Sequence, residues 1–91
     1  MTRLVITAQV EDGVEWEEGF RTHLDLFREM TVTATHFAVT DENEVALYEE
    51  VTDLDKYFSI MESPATAEAM AHDGVKRDTV RVFVLDKEVA F

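Results

Sequence analysis

Three histidines are the residues of this chain best suited to proton transfer, because an unperturbed imidazole titrates near neutral pH. His36 lies in the β-prone run TATHFAV and shares its alternation phase with Val32, Ala34 and Ala38. If that phase faces the helices, the ring points into a cavity, where it accepts a proton from a phenol or an activated carbon acid. We therefore predict His36 as the catalytic base. The alternative is a structural histidine in the core or at a subunit interface.

The other two histidines lie on predicted helices. His23 follows Phe20 by three residues, so it leans toward an aromatic helix face and is predicted to line the same cavity. The alternative is a border position whose ring reaches water. His72 lies in the last helical turn before Gly74, where a histidine interacts well with the helix C-terminus without any ligand. Because no HxH, HxxxH or HExxH spacing occurs and cysteine is absent, no metal site is predicted.

Aromatic side chains predict a lining suited to a flat hydrophobic ligand. Trp16, Phe20 and Tyr57 are assigned to this lining, although core packing accounts for the same pattern. Tyr48 is a further ligand-binding candidate, since it shares a strand phase with Glu50 and Arg81 is expected to face them. That polar group fits either a substrate site or hydrogen bonds between subunits.

Composition excludes several other functions. The chain has 20 acidic and eight basic residues and a net charge of −12, which disfavours nucleic acid and anionic membranes as partners. No serine lies in a GxSxG-like elbow, and three scattered glycines form no phosphate-binding loop. The N-terminal apolar run is too short for a signal peptide or a membrane span, so we expect a cytoplasmic protein.

The elements that must position these residues follow a β-α-β-β-α-β order within a single domain, 1–91. This is the ferredoxin-like arrangement of an α+β protein with a four-stranded antiparallel sheet. Asp12, Asp53 and Ser63 are predicted helix caps, and Ser63-Pro64 splits the second helix. The predicted strands are 3–10, 31–40, 45–51 and 79–86, and the predicted helices are 14–30, 54–63 and 64–73.

Both faces of the predicted sheet carry apolar residues. The first strand offers Leu4 and Ile6 on one side and Val5 on the other, and the last strand offers Val82 against Phe83. Helices cover only one face in this arrangement, so the second face needs a cover. We predict a homodimer that forms through this open face.

The chain resembles the dimeric α+β barrel superfamily, and specifically its antibiotic-biosynthesis-monooxygenase-like members, over residues 4–85. The resemblance implies a homodimer with a cavity between sheet and helices in each subunit. Its polyketide oxygenases place an asparagine, a tryptophan, a tyrosine and an arginine around the substrate. Those roles do not transfer here, because the tryptophan lies in helix one and Gln9 stands in strand one. The resemblance is carried by Trp16 and Phe20, by 41–45, by Asp53, and by 63–70 and 74–75.

Two functions follow from the residues and the resemblance together. The first is a cofactor-independent monooxygenase or isomerase acting on a small aromatic or enolisable ligand, with no cofactor and with His36 as the base. The second is a non-catalytic dimeric domain that binds a small ligand or is associated with stress. The first predicts a cavity in which titratable groups converge, whereas the second predicts an interior filled by side chains.

Overall fold

A computed structural model describes all 91 residues as an antiparallel four-stranded sheet, ordered β2-β3-β1-β4, with helices on one face. A short 3₁₀ turn, Arg77–Thr79, precedes the last strand. The predicted α+β ferredoxin-like fold is therefore confirmed. The strands are β1 (Thr2–Gln9), β2 (Val32–Val39), β3 (Glu44–Val51) and β4 (Arg81–Val84), and the helices are α1 (Gly13–Thr22), α2 (Leu24–Glu29), α3 (Leu54–Met61) and α4 (Pro64–His72).

Strand alternation determines which side chains face the helices. Leu4 and Ile6 of β1 are buried under the helices, and Ile6 pairs with Leu47 of the adjacent β3. Residues directly opposite each other on antiparallel strands project from the same face, so the helix-facing residues form one apolar layer. Its fully buried members include Val51.

The predicted caps are all present. The Asp12 side chain accepts hydrogen bonds from the backbone N–H groups of Val14 and Glu15, and Asp53 accepts one from Lys56. Ser63 caps α4 in the same way, with Pro64 at its first position. These side chains satisfy N–H groups that have no partner within their own helix. The second helical segment is thus split at Ser63-Pro64, as predicted.

The first helical segment differs from the prediction of one continuous helix. It breaks at His23, whose φ of −105° and ψ of 19° are not helical. The Thr22 hydroxyl donates to the carbonyl oxygen of Gly19 at 2.6 Å, and the His23 ring hydrogen-bonds Asp73 of the α4 terminus. The local turn and this distant contact together end α1 and start α2.

The last strand is shorter than predicted, because Arg77–Thr79 turns as a 3₁₀ helix before β4 starts. Gly74 has a φ of 73° and ends the α4 segment in the left-handed region, as predicted. Val75 then forms an isolated bridge with Val10. None of the helices is long and apolar enough to cross a lipid bilayer.

The open face of the sheet is more polar than predicted. Val5, Tyr48 and Phe83 lie on it, and Phe83 is 47% exposed. Arg3 and Glu50, however, pair on the same face and approach within 3.9 Å. The face therefore combines exposed aromatic surface with an ion pair.

Candidate functional site

A cavity of about 90 Å³ lies between the sheet and the helices. Fifteen of its nineteen lining residues are hydrophobic, so the polar groups that reach it stand out. Enclosed apolar pockets with a few convergent polar groups are the usual form of a small-molecule site. The four non-hydrophobic lining residues are His23, Glu49, Thr66 and Asp73.

An aromatic cluster forms one side of this cavity. Trp16 and Phe20 of α1 stack with ring centroids 5.0 Å apart, and both are buried. Phe27 of α2 and Phe37 of β2 meet the Phe20 ring edge-on, at 5.0 and 5.2 Å. Such edge-to-face contacts add stability beyond the area they bury.

Glu49 brings a carboxyl group into the apolar layer from β3. It is 1% exposed, and it lies on the strand phase of the buried residues Val45, Leu47 and Val51. The hydroxyl of Tyr57 on α3 donates to Oε1 of Glu49 at 2.9 Å. The two side chains line the same cavity, so a hydrogen-bonded acid group is available to a ligand there.

Burial raises the pKa of Glu49 from 4.5 to about 7. Water stabilises a carboxylate far better than an apolar interior does, so the charged form is disfavoured. Hydrogen bonds from Tyr57 and from Thr35, which faces Glu49 across β2 and β3, offset part of this effect. At neutral pH both protonation states are populated, which is the condition for efficient proton transfer.

The Tyr57 pKa is raised well above its ordinary value. Burial is the largest cause, followed by the charge of Glu49 and by the hydrogen bond to it. Tyr57 is also fully buried. It therefore stays a neutral donor that holds the Glu49 carboxyl in place.

A second polar group connects the cavity to the surface. The Nδ1 atom of His23 lies 2.9 Å from Oδ2 of Asp73, and the Nδ1 atom of His72 lies 2.8 Å from Oδ1. Asp73 is only 7% exposed at its side chain, whereas His72 is 70% exposed. The buried carboxylate of Asp73 thus contacts His23 at the cavity and His72 at the surface.

Gly19 makes room for this carboxylate. A Cβ atom at Gly19 would lie 2.0 Å from Oδ1 of Asp73, far inside a permitted contact. A glycine within a helix is destabilising relative to alanine, so a tight neighbour explains its presence here. The absence of a side chain on α1 lets Asp73 reach both histidines.

The structure brings four of the six predicted site residues together. Trp16, Phe20, His23 and Tyr57 all line the cavity. His23 does so from the break between α1 and α2, which turns its ring toward Asp73. The prediction that these side chains share one pocket is consistent with this geometry.

His36 lies outside the cavity, so the expectation that its ring points into the interior is wrong. A bulge between Val32 and Ala34 shifts the alternation of β2. Val32 consequently pairs with the buried Val51, whereas His36 pairs with Tyr48 on the open face. The phase inferred from Val32 therefore does not extend to His36, which is exposed.

Tyr48 also lies on the open face and does not line the cavity. Its hydroxyl approaches Glu50 at 3.4 Å, and its ring centroid lies 5.9 Å from that of His36. The cation beside Glu50 is Arg3. The expectation that Arg81 faces this pair is wrong, because Arg81 pairs with Thr7, further along β1.

Two acids that matter for the site were not among the predicted residues. Glu49 had a signal in the sequence, because VALYEEV places it on the phase of Val45, Leu47 and Val51. An acid on the apolar phase of a strand is buried and paired, or exposed at an edge. Asp73 had no such signal, since its partner His23 lies 50 positions away.

Comparison with solved structures identifies proteins that share this fold. A candidate antibiotic biosynthesis monooxygenase from Bordetella bronchiseptica matches with a TM-score of 0.71 and 12% identity, covering 97% of each chain. SnoaB, a cofactor-independent oxygenase from Streptomyces nogalater, matches with a TM-score of 0.71 and 15% identity, over 98% of this chain and 94% of SnoaB. No protein-family model and no curated protein sequence matches. At these identities the likeness establishes the fold.

Proposed function

We propose that this protein is a cofactor-independent oxygenase or isomerase that removes a proton from a small phenolic or enolisable ligand. The observation that carries the proposal is a buried acid, Glu49, with a pKa of about 7 in the wall of an apolar cavity. Strongly perturbed acids in pockets are concentrated at functional sites. The shared fold with SnoaB gives the same reaction class independent support.

Glu49 takes the role of general base in this proposal, in place of His36. Its carboxylate accepts the proton of an acidic C–H or O–H group, and the electron pair stays on the ligand as an enolate or phenolate. Tyr57 is a positioning residue, because its hydroxyl donates to Oε1 and fixes the carboxyl. Trp16 and Phe20 supply an aromatic surface against which a flat ligand packs.

The enolate or phenolate can react in two ways, and each conserves atoms and electrons. Return of the proton to a different atom gives an isomer with no change in oxidation state. Reaction of a methylene group with O₂ converts it to a carbonyl: one oxygen atom is kept, the other leaves as water, and the ligand supplies all the electrons. Neither outcome needs a cofactor, since the substrate is its own reductant.

The non-catalytic alternative receives less support. It predicts an interior filled by side chains, whereas the interior holds a cavity of about 90 Å³. It also gives no reason for placing Glu49 among apolar residues, where a charge is costly. A volume of this size favours a very small ligand and excludes a polycyclic one.

The same proposal includes a homodimer formed through the open face. Phe83 and Leu85 are 47% and 48% exposed, and they border the surface that holds Tyr48 and His36. A second copy of the chain would cover these apolar groups. His36 and Tyr48 then serve in the interface rather than at the cavity.

Solvent deuterium exchange tests proton abstraction without requiring knowledge of the product. The protein is incubated in D₂O with a panel of small monocyclic 1,3-diketones, and exchange of the C–H group between the two carbonyls is followed by NMR while an electrode records O₂ uptake. At least one compound is expected to exchange above the buffer rate. Glu49→Gln should lower that rate by about 100-fold or more, the usual share of a general base.

Glu50→Gln is the matched control, because Glu50 is the adjacent acid on the opposite face of β3. It should leave the exchange rate unchanged. Loss of exchange in both variants, or in neither, would refute the assignment of Glu49. O₂ uptake alongside exchange identifies an oxygenase, and exchange without uptake identifies an isomerase.

A further inference from the structure

We propose that His23, His72 and Asp73 bind a divalent transition-metal ion at the end of the cavity. Each offers one ligand atom, and the three atoms lie within 4.8 Å of one another. Two imidazoles and a carboxylate are a ligand set that suits zinc, nickel, cobalt or iron(II). The inference is independent of proton abstraction by Glu49.

The geometry needs little rearrangement to hold an ion. Zinc–nitrogen and zinc–oxygen bonds of about 2 Å place two ligands of one tetrahedral ion roughly 3.3 Å apart. The His23 and His72 Nδ1 atoms already lie 2.9 and 2.8 Å from the two oxygens of Asp73. Each nitrogen–oxygen pair has to open by about 0.5 Å to reach that spacing, and all the ligand atoms lie within 4.8 Å of one another. The exposed side chain of His72 can accommodate this adjustment.

Metal binding replaces the hydrogen bonds that the two imidazoles make with the Asp73 carboxylate. A neutral imidazole that donates to a carboxylate through Nδ1 carries its single proton on that nitrogen. When Nδ1 binds a metal, the neutral ring carries that proton on Nε2 instead, so the two rings change tautomer as the ion binds.

The carboxylate of Asp73 is buried within the fold. Asp73 is 7% exposed, and it occupies the space that a side chain at Gly19 would fill. His23 projects from the break between α1 and α2, and His72 from the last turn of α4. Three separate features of the chain therefore converge on one point, with His72 open to solvent as the route for an ion.

Metal binding also gives the ligand cavity a polar end. His23 and Asp73 line the cavity, whereas His72 does not. Three protein ligands leave a tetrahedral ion one position for water or for a ligand oxygen. An oxygen donor such as water or a carboxylate fits that position, and the reaction proposed above does not depend on it.

Titration of the metal-free protein with Zn²⁺ in a calorimeter, and with Co²⁺ in a spectrophotometer, tests the proposal. We expect saturable binding of one ion per chain, visible Co²⁺ absorption of a low-symmetry site, and a higher melting temperature with Zn²⁺. Excess Mg²⁺ should not displace the ion, because a hard cation prefers oxygen ligands. Easy displacement by Mg²⁺ would instead indicate diffuse binding to the many surface acids.

His72→Ala is the decisive variant, because this exposed side chain contributes little to folding. It should weaken Zn²⁺ binding by about tenfold or more, since loss of even a supporting group around a metal costs that much. Asp73→Asn should have a similar effect, and His36→Ala is the matched control of an exposed histidine outside the cluster. Unchanged affinity in His72→Ala, or equal loss in His36→Ala, would overturn the proposal.

Discussion

The Tyr57 hydroxyl donates to the Glu49 carboxyl at 2.9 Å beneath the centre of the sheet, and both side chains are almost fully buried. The pair joins α3 to β3 at the wall of the cavity. Substitution of Tyr57 and substitution of Glu49 have different consequences, because Tyr57 is a neutral donor and Glu49 carries a charge that depends on pH. This difference leads to separate predictions for stability and for reactivity.

Glu49 should make the protein less stable as the pH rises toward 8. Folding raises its pKa, so the folded state binds this proton more tightly than the unfolded state does. The stabilisation is fully present below pH 4.5, the unfolded pKa, and is lost as the pH rises through about 7. A shift of that size corresponds to about 3 kcal/mol in the free energy of unfolding.

Urea denaturation of the wild type and Glu49→Gln, at pH 5 and pH 8, measures this contribution. The other acids of the chain titrate in both proteins, so the difference between the two pH dependences isolates Glu49. Between pH 5 and pH 8 the stability of the variant should rise relative to that of the wild type by about 2.5 kcal/mol, because pH 5 already lies above the unfolded pKa. Parallel pH dependences would show that Glu49 does not titrate as its burial requires.

Tyr57→Phe should raise the pKa of Glu49 further and destabilise the fold. The Tyr57 hydrogen bond favours the charged carboxylate, so its loss moves the midpoint of the pH–rate profile upward. A buried acceptor without its donor costs about 1–3 kcal/mol. Tyr48→Phe is the control, since that hydroxyl lies on the open face away from Glu49, and it should leave the pH–rate profile unchanged.

Gly19→Ala should destabilise the protein although alanine is the better helix former. The added Cβ would meet Oδ1 of Asp73 at 2.0 Å, and overpacking of this kind costs about 1–3 kcal/mol. In an Asp73→Ala background the obstacle is gone, so the same substitution should become neutral or stabilising by up to about 1 kcal/mol. Thermal or urea unfolding of the wild type, the two single variants and the double variant completes this double-mutant cycle. Additive effects of the two substitutions would contradict the contact.

Phe83→Glu should convert the proposed dimer to a monomer. The substitution places a charge on the open face, where the proposed partner subunit lies, next to Val5 on the adjacent strand. Sedimentation or light scattering at micromolar concentration measures the mass directly. Val14→Glu is the control, because Val14 is 72% exposed on α1, away from the open face. A wild-type chain that sediments as a monomer would rule out the interface.

Local rules predicted most of the fold. Alternation in β1 and the caps Asp12, Asp53 and Ser63 depend on neighbours a few positions away, and the structure has each of them. The break at His23 depends in part on Asp73, and a contact over 50 positions leaves no local pattern. The first helix was therefore predicted as continuous.

The site was predicted in part, for equally physical reasons. Aromatic residues at helical spacing identified Trp16 and Phe20, because the spacing fixes a common face. The placement of His36 failed at a single bulge, since one extra residue exchanges the two faces of a strand. The burial of Glu49 was predictable from the alternation of β3, whereas titration near neutral pH pointed to the histidines instead.

The break at His23 divides the first helical segment into two helices, α1 and the short α2. No residue of α2 is fully buried, although Leu26 and Phe27 roof the cavity. A helix with few buried contacts is a candidate for local opening, and opening of α2 would enlarge the cavity beneath it. Because His23 lies at the break, such an opening would also move the ring that hydrogen-bonds Asp73.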